Sequence, residues 1–175
     1  GEEIRQLDWG IDVVLTASQK AIGVPPGLAL MLVSEKAMEK FRNRKSKVRN
    51  YYADWSNWLP VMEAYEQRKP AYFGTPAVNL VSALNVSLKQ ILAEGLENRF
   101  ERHRSTGKAF RAALKAIGLS QVAAEGYEAN TLSAPFYPPG VNPSDFLGEV
   151  NREGVVLAGG LHPDIKNQYF RIGHM

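Results

Sequence analysis

Apolar positions along the chain fall into two regimes. Near the start they form short runs, Ile11-Asp12-Val13-Val14-Leu15 and Leu28-Ala29-Leu30-Met31-Leu32-Val33. Runs of this length bounded by Gly and Pro predict strands covered on both faces. From Glu35 onward the spacing becomes helical. Ser34 suits the N-cap of a helix from about Glu35 to Arg42, with Glu35 favourable in its first turn. Thr75-Pro76 predicts another start, a hydroxyl N-cap followed by proline at the first helical position. Val81, Leu84, Leu88 and Ile91 then recur at helical spacing, and Gly95 is placed to bend or interrupt the helix. A second helical stretch carries Leu96, Phe100, His103, Phe110, Leu114 and Ile117 on a broad face, with Gly118 as its C-terminal cap.

The last third reads as a small α/β unit. Thr131 to Phe136 is a candidate strand ended by Pro138-Pro139-Gly140. Asn142-Pro143 starts a helix with Asp145 in its first turn, Phe146, Leu147 and Val150 inward, and Gly154 at its end. Val155 to Ala158 and Tyr169 to Ile172 are further short strands, joined by a loop through Gly159-Gly160-Leu161-His162-Pro163. The fold class is therefore α/β. His162 has no second histidine or cysteine at metal-ligand spacing, so it reads as a loop residue and no metal is expected.

Composition narrows the function classes. A length of 175 residues allows one or two domains. The absence of cysteine excludes disulfides, thiolate metal sites and a cysteine nucleophile. A net charge of +3 is too small to imply a polyanionic partner. Arg42, Arg44, Lys45, Lys47 and Arg49, followed by Tyr51, Tyr52, Trp55 and Trp58, suggest single-stranded nucleic acid in principle. The small net charge and the lack of a nucleic-acid-binding fold signature favour a solvated helix end and a loop whose aromatics pack on the protein. No apolar run approaches membrane-spanning length, GEEIRQ contains no signal-peptide hydrophobic region, and no internal repeat is apparent. No nucleic acid or membrane partner is expected, and peroxisome, mitochondrion and cytosol stay open as compartments.

The candidate chemistry lies in Thr16 to Gly27, TASQKAIGVPPG. Lys20 hangs on a turn between the two apolar runs. Near a low-dielectric core a lysine ammonium is disfavoured, and the neutral amine is a nucleophile toward carbonyls. An ordinary loop lysine that snorkels to water is the competing reading. Gln19 either bonds local backbone or offers its amide to a ligand. Arg171, between Phe170 and Ile172, is either an edge-strand arginine pointing to water or a guanidinium fork for a carboxylate.

Ser18-Gln19-Lys20 with Pro25-Pro26-Gly27, preceded by Trp9-Gly10-Ile11-Asp12, resembles the lysine segment of class V pyridoxal-phosphate aminotransferases. The resemblance is strongest to the alanine–glyoxylate (serine–pyruvate) type, in its fungal form. It continues through Tyr72-Phe73-Gly74-Thr75-Pro76 and ends with Gly159-Gly160 and Phe170-Arg171-Ile172-Gly173-His174-Met175. The resemblance implies fold type I, with residues 1–98 as the end of the large cofactor domain and residues 99–175 as an incomplete small domain. It implies pyridoxal 5'-phosphate carried on Lys20 as a Schiff base, with Gln19 on its phosphate. Tyr72 and Thr75 would reach the phosphate of the neighbouring subunit of a homodimer, and Arg171 would bind the substrate α-carboxylate. The expected reaction moves an amino group from alanine, or serine, to glyoxylate, giving glycine and a 2-oxo acid.

Family members are much longer, so the chain is expected to be a fragment. The family's aspartate for the pyridine nitrogen is expected upstream; Asp12 lies too near Lys20 to be it. Cysteine desulfurases are disfavoured, because they place histidine before the lysine and need a cysteine. A phosphoserine aminotransferase-like enzyme, or a non-catalytic remnant acting as an interaction module, stays as an alternative.

Overall fold

The computed structural model describes residues 1–174; Met175, the last residue of the final motif, lies outside them. Ten elements follow in order: β1 (Val13–Ala17), β2 (Ala29–Val33), α1 (Glu35–Arg42), α2 (Trp55–Glu66), α3 (Val78–Glu94), α4 (Leu96–Ala116), β3 (Leu132–Ser133), α5 (Pro143–Arg152), β4 (Ala158–Gly159) and β5 (Phe170–Gly173). They form two compact units, Ile4–Gln90 and a second made of Gly1–Glu3 with the chain from Ile91 onward.

In the first unit β1 and β2 pair antiparallel, in register from Val13 opposite Val33 to Ala17 opposite Ala29. The strands fall where the apolar runs predict, but they are not covered on both faces. Leu15 is 66% and Leu32 63% exposed. A run of β-branched and aliphatic residues selects the extended backbone, whereas burial needs a second layer, and these side chains have none among the described residues. α1 has the expected bounds. Ser34 Oγ accepts from the Ala37 amide at 3.1 Å and donates to Asp12 Oδ1 at 3.2 Å, so the cap also ties α1 to the start of β1.

Two further expectations in this unit are corrected. The stretch through Trp55 and Trp58 is helix α2, not a loop. Asp54 caps it by accepting from the Ser56 amide at 3.0 Å. Pro60 sits inside it, where the helix forgoes one backbone hydrogen bond. The aromatics do pack on the protein: Trp58 lies edge-on to Tyr52 and Phe73, with ring centroids 5.1 and 4.8 Å away. α3 begins at Val78, and Thr75 does not cap it; its hydroxyl lies 2.7 Å from that of Tyr72.

In the second unit Gly95, at φ +83°, separates α3 from α4. Glu94 clamps this junction. Arg102 Nε and Arg99 Nη1 donate to its two oxygens at 2.6 and 2.9 Å, and these bonds, that from Arg102 foremost, hold its carboxyl down to about 2. β5 is the centre of a three-stranded antiparallel sheet between β3 and β4. Ser133 lies opposite Ile172, and Ala158 opposite Arg171. The expected strand over Thr131 to Phe136 is shorter because Pro135 has no N–H for the ladder. Its carbonyl still accepts from the Phe170 amide at 3.0 Å. The strand expected over Val155 to Ala158 narrows to Ala158–Gly159, since the Val155 amide turns back to the Val150 carbonyl at 3.1 Å. α5 starts as the sequence dictates, Asn142 Oδ1 accepting from the Ser144 and Asp145 amides at 2.9 and 3.2 Å.

Phe170 holds the core of this unit. It is 2% exposed, with the rings of Tyr137 and Phe146 centred 5.1 and 4.8 Å away. Truncation would remove the contact shared by β5, α5 and the segment leading into Pro138. Phe170→Ala should cost about 3–5 kcal/mol in urea unfolding; a loss below about 1 kcal/mol would show that the cluster is not the core.

Candidate active site

The loop between β1 and β2 is organised by one buried hydroxyl. Ser18 is fully buried. Its Oγ donates to the Pro25 carbonyl at 2.7 Å and accepts from the Leu28 amide at 3.3 Å. Its backbone N–H donates to the Leu28 carbonyl at 3.1 Å, and its carbonyl accepts from the Val24 amide at 3.0 Å. Four bonds from one residue close the loop at its neck. Val24, 5% exposed, fills the space beside it, and the Ser87 hydroxyl of α3 donates to the Ile22 carbonyl. At Gly27 (φ +136°) a Cβ would meet the Leu80 side chain at 2.6 Å, so the loop also packs directly on α3.

Lys20 and Gln19 stand on the outer side of this loop. Both are exposed, so of the two readings of its position Lys20 follows that of a loop lysine reaching water rather than one approaching a low-dielectric core. The buried residue of the motif is Ser18, two positions earlier. The Gly23 amide donates to the Lys20 carbonyl at 2.9 Å, fixing its backbone in a turn. Among the described residues no carboxylate pairs with its ammonium. The amine is thus held by its backbone and free at its tip.

Tyr72 and Thr75 belong to the same unit. Their hydroxyls meet at 2.7 Å, and both residues are exposed. Two adjacent hydroxyls of this kind can together donate to an anionic oxygen. The preceding backbone is held by the Tyr65 hydroxyl, which donates to the Ala71 carbonyl at 2.9 Å, and by the packing of Phe73 on Trp58.

Arg171 lies in the other unit, on β5, and is partly buried. Its Nε donates to the Gly159 carbonyl at 2.7 Å. Among the described residues no carboxylate pairs with it, so its Nη edge stays available to an anion. The strand is anchored on either side: by Phe170 in the aromatic core, and by His174. The His174 ring stacks on Phe110 at 4.7 Å, and its Nε2 lies 3.1 Å from Ser133 Oγ. Burial pushes this imidazole below its ordinary value, so it packs as a neutral ring.

The donor set fits a phosphorylated aldehyde: a free amine for the carbonyl carbon, with an amide and paired hydroxyls suited to phosphate oxygens. Among the described residues no group of three or more His, Cys, Asp or Glu is placed to hold a metal ion, and no helix is long and apolar enough to cross a membrane. Sequence reasoning gave no role to two residues. Ser18 was visible only as part of the SQK motif, and Tyr169 only as a strand residue.

Comparison with known proteins identifies the family. The family described as Aminotransferase class-V matches residues 2–172. Alanine–glyoxylate aminotransferase 1 of Saccharomyces cerevisiae is 41% identical over 99% of this chain and 46% of its own length. Serine–glyoxylate aminotransferase of Arabidopsis thaliana is 34% identical over 99% of this chain and 42% of its own. The crystal structure of an alanine–glyoxylate aminotransferase from Nostoc sp. superposes with a TM-score of 0.90 at 32% identity, covering 100% of this chain and 45% of that one. The chain thus spans less than half the length of the relatives it matches, and within that span it belongs to the class V aminotransferases.

Proposed function

We propose that this chain forms part of a pyridoxal-phosphate transaminase that moves an amino group from alanine, or serine, to glyoxylate, giving glycine and a 2-oxo acid. The observation that carries the reading is the Lys20 loop: a backbone closed by buried Ser18 presents an exposed, unpaired amine, in a chain of this family. Two relatives named for different amino donors, alanine and serine, share glyoxylate in their names. This supports glyoxylate as the acceptor and leaves the donor to be measured. In this reading Ile4–Gln90 belongs to the large domain, and the unit from Ile91 onward is mostly small domain.

Pyridoxal phosphate, when bound, supplies the electron sink that makes the substrate α-proton acidic. Lys20 is the residue that would hold the cofactor's aldehyde, and its Nζ, once released, would be the base that carries the substrate α-proton. The closed loop fixes the Lys20 backbone, the point from which Nζ would reach the reacting carbon. The Gln19 amide would hold the phosphate. The Tyr72 and Thr75 hydroxyls would hold the phosphate of a second subunit, which would make the working enzyme a homodimer with shared sites. Arg171 takes the α-carboxylate of both amino and oxo acids on its Nη edge.

In the cofactor-loaded enzyme, borohydride should fix the cofactor to a single peptide containing Lys20, as read by mass spectrometry. Label on another lysine would refute the assignment. Lys20→Ala should lower turnover by about 10²–10⁴-fold, the span attributed to a positioned acid–base group.

Shared sites make a separate claim. Inactive Lys20→Ala subunits mixed with inactive Tyr72→Ala/Thr75→Ala subunits should regain part of the activity, because some hybrid sites keep all three residues. No recovery after demonstrated subunit exchange would place the hydroxyl pair in the same subunit as its lysine.

A further inference from the structure

We propose that Tyr169 is a positioning residue for substrate carboxylate recognition, acting through the Gly159–His162 loop on the guanidinium of Arg171. The inference rests on the reading of Arg171 as the carboxylate site. Two consecutive backbone amides, those of Leu161 and His162, donate to the Tyr169 hydroxyl oxygen at 2.9 and 3.1 Å. Tyr169 is itself 7% exposed. The amide of His162 foremost, then that of Leu161, holds the phenol below the ordinary tyrosine range. A phenol oxygen that accepts two amides is an unusual clamp for a loop, since turns of this kind are commonly closed by backbone or Asx groups.

The loop's first residue carries the consequence. The Gly159 carbonyl accepts the Arg171 Nε–H at 2.7 Å. On its other side Gly159 pairs with Phe170 across the sheet. A guanidinium is planar, so an in-plane bond at Nε sets the direction in which the two Nη atoms face. A carboxylate fork depends on that direction, whereas simple charge attraction does not. Tyr169 thus holds the loop, the loop holds the Gly159 carbonyl, and the carbonyl aims the fork.

Gly160 shows how closely the parts fit. A Cβ there would lie 2.5 Å from the Lys166 carbonyl oxygen and 2.7 Å from Tyr169 Cε1. Any side chain at this position displaces the loop from the ring. The same pathway is therefore open to test from two directions, by removing the acceptor and by pushing the loop away.

The test uses propionate, which has the carbon frame of alanine without the reactive amine, titrated into the cofactor-loaded enzyme. Tyr169→Phe keeps the ring and removes the acceptor. It should weaken propionate binding about tenfold, the scale of one or two lost hydrogen bonds. The KM values for alanine and glyoxylate should rise together by a similar factor, with kcat changed less and cofactor absorbance unchanged. A merely structural role would not split KM from kcat in this way. Arg171→Gln serves as the reference and should weaken propionate more. Should Arg171→Gln weaken binding while Tyr169→Phe matches the parent, the positioning role is overturned and the carboxylate site stands. An Arg171→Gln enzyme with unchanged propionate affinity overturns both. If Tyr169→Phe does not fold, Gly160→Ala decides: the same weakening is expected, and unchanged affinity refutes the proposal.

Discussion

The Lys20 loop, and with it the chemistry proposed for that lysine, depends on the burial of one serine. Ser18 is fully buried and spends its hydroxyl and both its backbone groups on the loop that follows it. Buried polar groups are costly unless satisfied, so a loop that meets every one of them from a single residue has few alternative closures. The loop leaves Lys20 outside that neck. Its position is determined by the backbone, while its amine keeps the freedom that covalent exchange with a carbonyl requires. In the proposed function this is a division of labour: the serine is the structural residue and the lysine the chemical one.

The second unit solves a related problem with different groups. In the proposed function a guanidinium is aimed here, where the first unit presents an amine. β5 is the central strand of its sheet, gripped by Phe170 in an aromatic cluster and by His174 against Phe110 and Ser133. Arg171 stands between these anchors, and its side chain takes its direction from the Gly159 carbonyl. In the first unit a buried hydroxyl closes the loop beside the proposed functional residue, and in the second an aromatic cluster and a side-chain hydrogen bond hold the strand and its neighbouring loop.

Much of the fold was legible where local chemistry decides it. Ser34 and Asn142 have side chains that prefer to cap, and α1 and α5 start there. Gly95 and Gly118 adopt the left-handed backbone that glycine tolerates, and the helices break where they stand. α2 was missed although Trp55, Trp58 and Tyr65 recur at helical spacing, because Pro60 argues against a helix interior. Thr75 was misread as a cap because the sequence cannot show that its hydroxyl has Tyr72 as a neighbour. The apolar runs of β1 and β2 recorded a need for cover that the described residues do not supply. Of the proposed site, Lys20 and Arg171 were singled out by motif; the residues that hold their loops, Ser18 and Tyr169, are ordinary in sequence and acquire meaning only from their bonds.

The dependence of the Lys20 loop on Ser18 can be measured by native-state hydrogen exchange in Ser18→Ala. The informative amide is that of Val24, which bonds to the Ser18 backbone carbonyl and loses no partner directly in the substitution. Leaving the Pro25 carbonyl without its donor costs about 1–3 kcal/mol. Protection at Val24 should therefore fall about tenfold or more, while amides of α1 keep theirs. Unchanged protection at Val24 would show that the loop closes without the serine hydroxyl, and would contradict the account.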